Sequence, residues 1–142
     1  MKRRDRDVQR TKLYRAEDSA FSEMHDEKFN KDQSVDFIQC VLYSDYWKKC
    51  KGFKAISIKF RNGGDRACYY HKGKFITAPP WARNEFVLIH ELAHSLTAKE
   101  DITLAYHGRV FCNHYLNLIR ELLGESKAED LEISFLEYGV RY

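Results

Sequence analysis

The sequence predicts one α+β domain across residues 1–142, and three observations carry that prediction. A run with helical spacing comes first, three short β-prone runs follow, and three further helical runs close the chain. Strands and helices are therefore segregated, the order of an α+β fold and not the alternation of a parallel sheet with crossover helices. Hydrophobic residues make up 44% and aromatics 14%, enough apolar surface for a core, which excludes wholesale disorder. A length of 142 residues suits one compact domain.

The opening, MKRRDRDVQRTKLYRAEDSAF, is dense in charge, with Leu13, Tyr14, Ala16 and Phe21 as its first apolar anchors. Its basic end reads as a solvated terminus. The first helix is expected in SVDFIQCVLYSDYWKKC, where Val35, Ile38, Val41, Leu42 and Tyr46 recur at helical spacing and Ser34 is placed to cap. Gly52 ends that pattern. AISIKF alternates with Ile56 and Ile58 on one side, which reads as a strand, and NGGD marks a turn after it. RACYYH and KFITA, joined through Lys72-Gly73, read as a hairpin stopping at Pro79-Pro80. The sheet is thus expected to be small, mostly antiparallel and packed on helices. A helix beginning near Trp81 carries VLIHELAHSL. The polar TAKEDITLAY links it to a helix in HGRVFCNHYLNLIRELL that ends at Gly124. KAEDLEISFLEYGVRY closes the chain as a short helix with Leu131, Phe135 and Leu136 inward.

A formal charge of +3 is mild, and dedicated nucleic-acid binders show a stronger basic stripe. Cys40, Cys50, Cys68 and Cys112 form no C-x-x-C pair, so the expectation is reduced, mostly buried thiols and neither a zinc ribbon nor a disulfide framework. The charged opening leads into no apolar signal core, and no run approaches the length of a membrane span. The expectation is a cytoplasmic protein with no membrane contact.

VLIHELAHSL sets His90, Glu91 and His94 among Val87, Leu88, Ile89, Leu92, Ala93 and Leu96. Burying such groups costs several kcal/mol unless something compensates, and the pattern H-E-x-x-H names the compensation: a metal ion. Two histidines four apart on a helix differ by ~40° in direction and ~6 Å in height, so both imidazoles reach one ion. Zinc takes neutral imidazole nitrogens, and a catalytic site keeps one position open for water. Glu91 is then the general base that takes the proton of that water and delivers it to the leaving group. A third ligand is required. The extension that would place Gly at 97 and His at 100 is absent, because the chain has Thr97 and Glu100. Glu121 or Glu125 on a following helix are candidates. His107 in YHGRVF is the better one, with Gly108 to let the backbone pass close and Phe111 to anchor the helix. His114 lies nearly in phase with His107 but ~10 Å further along.

HELAHSLT followed by AYHGRVF resembles the H-E-x-x-H…H-G-x-x-F pattern of SprT-like and related minimal zincin metalloproteases. It more closely resembles a small family of metallohydrolases of actinobacteria and their phages, whose flanks RDVQRTKLYRAE, APPWARNEFVLIHELAH and LEYGVRY are matched as well. The resemblance covers nearly the whole chain. It implies a minimal zincin-like domain, zinc held by His90, His94 and His107, and Glu91 as general base. SprT-like proteins often add a zinc ribbon or DNA-binding tail; no such cysteine set exists here, which weakens a DNA-linked role.

For stabilising an oxyanion, Tyr106, Tyr115, Tyr138, Tyr142 and Arg141 are candidates, each weighed against ordinary packing. His71, at the expected hairpin turn, and His25, in a charged segment, are expected to be exposed. KKCKGFKAISIKFR is basic with interleaved aromatics, a pattern nucleic acid could use; a lysine-protected strand edge explains it at least as well. The leading expectation is a zinc-dependent metallopeptidase acting on a peptide or protein, with KFITA lying along the cleft to pair with the substrate backbone. Its rivals are a hydrolase of a non-peptide amide or ester, a DNA-associated SprT-like protease, and a non-catalytic protein stabilised by its metal. Glu91 speaks against the last, since a structural site needs no base.

Overall fold

The structure is a computed structural model that describes residues 2–24 and 27–142. Six helices and three strands are found among them: α1 (Arg10–Phe21), α2 (Lys31–Leu42), α3 (Asp45–Lys49), β1 (Ser57–Phe60), β2 (Cys68–Tyr70), β3 (Phe75–Ala78), α4 (Glu85–Glu100), α5 (Arg109–Leu123) and α6 (Glu125–Tyr138). The fold is α+β, with the strands contiguous in sequence and helices on either side. α4 is the axis of the molecule. It packs on α5 and against β2, while α6 lies on both α1 and α5. Ten of its residues, from Phe86 to Thr97, are buried, so it meets neighbours on nearly every side, as a helix apolar around most of its circumference must.

The sheet order is β1-β3-β2. β2 and β3 form the expected antiparallel hairpin, with Cys68 opposite Thr77 and Tyr70 opposite Phe75. β1, however, pairs with β3 in parallel, Ser57 beside Phe75 and Phe60 beside Ala78. The expectation of a mostly antiparallel sheet is therefore corrected: one pairing of each kind makes it mixed. The chain leaves β1 through residues 61–67 to the far edge, and the hairpin brings it back into the middle running the same way as β1. β3 is thus central, with Ile76 and Ala78 buried. β1 is one edge, carrying Lys59 with its Nζ 3.9 Å over the ring of Phe75, and β2 is the other.

Local chemistry explains several departures from the sequence reading. α1 exists where only apolar anchors were noted, with Leu13, Ala16, Glu17 and Phe21 buried. α2 is capped by Asn30, not Ser34: the Asn30 side chain accepts the Gln33 N–H at 2.8 Å, and the Gln33 side chain accepts the Asn30 N–H at 2.9 Å. This reciprocal pair satisfies two orphan donors at once. Ser34 is buried one turn in, donating to the Asn30 carbonyl. Pro80–Ala82 form a 3₁₀ turn, and α4 begins only after Asn84, whose side chain accepts the Val87 N–H at 2.9 Å. α4 runs to Glu100, through the first four residues of the stretch expected to be a linker. In α6, Ala128, Leu131 and Phe135 face inward, but Leu136 is exposed. Of the four cysteines, all free, only Cys112 is buried. His71 is half-buried, and His25 lies outside the described residues.

Candidate metal centre

α4 supplies His90, Glu91 and His94, and the turn before α5 supplies His107, two residues ahead of the first helical residue. Gly108 caps α5, and a Cβ there would come within 3.2 Å of the Ala105 Cβ. The tight turn that presents His107 is therefore easiest with glycine. Phe111, one turn into α5, packs on the cluster with its ring 4.4 Å from that of His94 and 4.9 Å from that of His90. One ligand atom from each of His90, His94 and His107 lies within 4.8 Å of the others. Tetrahedral zinc needs its nitrogens about 3.3 Å apart, a separation small side-chain rotations reach.

Two of the three imidazoles are held from behind by carboxylates. His107 Nδ1 is 2.8 Å from Asp7 Oδ2, and His90 Nδ1 is 2.9 Å from Glu17 Oε1, the latter without the alignment of a good hydrogen bond. Carboxylates in this position orient metal-binding imidazoles and present the other nitrogen to the ion. That other nitrogen is accounted for nowhere else: His107 Nε2 is buried and has no hydrogen-bond partner. A buried polar atom without a partner is costly, and a ligated ion removes the cost. The donor set fits zinc.

Burial works against charge throughout the site. It would lower the His90 pKa, but the negative charge and contact of Glu17, with Glu91 beyond it, prevail and push His90 up to about 9. Burial raises Glu91 to about 7, with Glu17 adding to the rise while His90 and the Tyr69 backbone N–H pull the other way. His94 is driven well below its ordinary value by burial and by the charges of His90 and His107. Burial and His90 also lower His107, against the opposing pull of Asp7.

The centre opens into a cleft of about 500 Å³ on one side, walled by Ile102, Leu104 and Tyr106, and another of about 490 Å³ on the other, walled by Arg10, Arg66 and Trp81. β2 runs along both. The residues considered as alternative ligands are occupied elsewhere. His114 bonds Tyr46 Oη at 2.8 Å through Nδ1 and Glu100 at 2.9 Å through Nε2. Glu121 accepts the backbone N–H groups of Asp45 and Tyr46, capping α3. Glu125 pairs with Arg120 at the surface. Tyr115 is fully buried, its hydroxyl donating to Glu17 at 3.3 Å. Tyr138, Tyr142 and Arg141 line neither half of the cleft, and Arg141 is tied through its backbone to the Gln9 side chain. Tyr106 lines one half, with Arg4 Cζ 4.0 Å over its ring.

Asp7, Glu17 and Tyr69 were not picked out from the sequence, and Tyr14 was read there only as an apolar anchor. Tyr14 and Glu17, three apart on α1, share a face, but the charge of the opening masked that signal. Asp7 carries no local signal at all, since it meets His107 only through tertiary structure. Comparison with family models, with curated proteins and with solved structures gives no match. No helix among the described residues is long and apolar enough to cross a membrane.

Proposed function

We infer that the chain is a zinc-dependent metallohydrolase of minimal zincin type that cleaves peptide bonds, with His90, His94 and His107 as ligands and Glu91 as general base. One observation carries the reading: the buried, partnerless Nε2 of His107 sits beside two further imidazoles and a buried glutamate at the floor of an open cleft. A structural zinc site closes with four protein ligands, whereas a catalytic one has three and an open side.

Bound zinc would polarise a carbonyl and acidify water. The chain's own residues do the rest. Glu91, buried beside the three imidazoles, takes the proton of the attacking water and returns it to the leaving amine. Glu91 and β2 residues Cys68 to Tyr70 line the same cleft. A peptide is the favoured substrate because β2, unlike the central β3 expected to take that role, is an edge strand beside the site. An extended backbone can add to such an edge, and the wall of Ile102, Leu104 and Tyr106 suits an apolar side chain. The test is metal analysis of purified protein together with digestion of a broad peptide library. About one zinc per chain and chelator-sensitive cleavage are expected; folded protein that neither contains nor binds zinc would falsify the reading.

A further inference from the structure

Water attack on a scissile carbonyl leaves a negative oxygen on a tetrahedral carbon, and a preorganised donor facing that oxygen is worth a large part of the rate. The tyrosines noted from the sequence are poorly placed for it: Tyr115 is sealed in the core, and Tyr106 borders only one half of the cleft. Tyr14 is placed differently. It lies on α1, one turn before Glu17, with its ring 5.3 Å from that of His107 and 6.1 Å from that of His90. It is the tyrosine common to both halves of the cleft, between which His90 and Glu91 sit. Although packed against two imidazoles, it remains 39% exposed. Arg10, one turn earlier, has Cζ 5.6 Å from the ring centroid and a donor within reach of the phenol oxygen. A guanidinium only donates, so this partnership leaves the phenol's own proton for a second acceptor.

We propose that Tyr14 is a catalytic residue whose hydroxyl donates a hydrogen bond to the oxyanion formed at the scissile carbonyl, with Arg10 as the positioning residue that orients and polarises the phenol. The proposal rests on the hydrolase reading above. In the first step the water oxygen bonds the carbonyl carbon, the C=O π pair moves onto oxygen, and Glu91 receives the water proton. In the second that pair re-forms the carbonyl, the C–N bond breaks, and the amine takes the proton from Glu91. Tyr14 keeps its proton throughout.

The test compares zinc-loaded wild type with Tyr14→Phe and Arg10→Met, using two probes besides the best-cleaved peptide. Acetohydroxamate reports access to the metal; a phosphinic tripeptide with Leu and Phe side chains mimics the tetrahedral anion. Tyr14→Phe keeps the ring that packs on the imidazoles and removes only the hydroxyl. It is expected to retain zinc and acetohydroxamate affinity, lose about tenfold or more in phosphinate affinity, and lose about 10²-fold in kcat with KM little changed. Arg10→Met is expected to show a smaller loss of the same pattern. Unchanged phosphinate affinity and kcat in Tyr14→Phe overturn the proposal while leaving the hydrolase reading intact. Zinc loss that tracks the activity loss also overturns it, since Tyr14 would then only buttress the ligands. A wild type that binds neither zinc nor the phosphinic tripeptide removes both readings together.

Discussion

His107 Nδ1 and Asp7 Oδ2 lie 2.8 Å apart across a separation of one hundred residues, so the turn that presents the third imidazole is held by the segment ahead of α1. Two further contacts fasten that segment to the same loop: the Asp5 N–H donates to the Thr103 carbonyl at 2.7 Å, and Arg4 donates to the Leu104 carbonyl at 3.0 Å. The stretch read from sequence as a solvated terminus is largely exposed, and it also straps the loop that carries the third imidazole of the candidate metal centre.

Asp7→Asn removes the carboxylate that orients His107 and favours presentation of its Nε2. Such outer partners typically contribute 10- to 100-fold in metal affinity. Competition with a chromophoric chelator is expected to show a loss in that range with the fold retained by circular dichroism. Wild-type zinc affinity in Asp7→Asn would mean that the contact does not orient a ligand.

Glu91→Gln separates proton transfer from ligation. Zinc content is expected to survive, while hydrolysis falls by ~10²-fold or more. Joint loss of zinc and activity would place Glu91 among the ligands or the folding determinants.

His107→Ala is expected to weaken zinc binding sharply and abolish hydrolysis. His114→Ala should keep zinc and lose stability, because it strands Tyr46 and Glu100 without the imidazole between them. Glu121→Ala should also keep zinc and cost ~1 kcal/mol, the usual worth of a lost cap. Glu125→Ala, which breaks only an exposed pair, should be close to silent. Equal zinc affinity in wild type and His107→Ala is the result that reassigns the ligand.

The metal-free protein should lose stability as pH rises from about 7 to 9. His90 is raised from 6.5 to about 9 by folding. Its contribution is therefore complete below 6.5 and disappears as pH climbs through the folded value. Glu91, raised from 4.5 to about 7, acts in the same direction at lower pH. His94 and His107 are lowered, so they oppose this trend, but only below 6.5, where the unfolded imidazoles bind protons first. At fixed free zinc the increment from the metal should instead grow with pH, since ligation requires neutral imidazoles. Urea denaturation of chelator-treated and zinc-loaded protein at pH 7, 8 and 9 measures both. A flat or rising curve for the metal-free form contradicts the charge assigned to His90.

The candidate metal centre was legible where its chemistry is local. His90, Glu91 and His94 sit on one helix, and helical geometry alone brings two imidazoles to one side. His107 could be singled out because a glycine follows it and Phe111 lies one turn further on. The hairpin and the boundary at Gly124 were legible for the same reason: turn and cap chemistry is written in neighbouring residues. Ser34 was the only cap read for α2, and the helix instead begins one turn earlier, where Asn30 and Gln33 pair reciprocally.

Sequence by itself determined which residues are able to bind a metal, that they sit on or beside helices, and that the fold is α+β. Each of these follows from spacing along the chain. Tertiary structure decided what spacing does not encode: that β1 and β3 run parallel, which puts β3 in the centre and leaves β2 as the edge beside the site; that Glu17 and Asp7 stand behind His90 and His107; and that Tyr14 faces both halves of the cleft. These are contacts between segments distant in sequence, brought together by burial of α4 among α5, β2, α2 and α1. Hydrophobic burial is non-directional along the chain, so the partners it selects become visible only once the elements are packed.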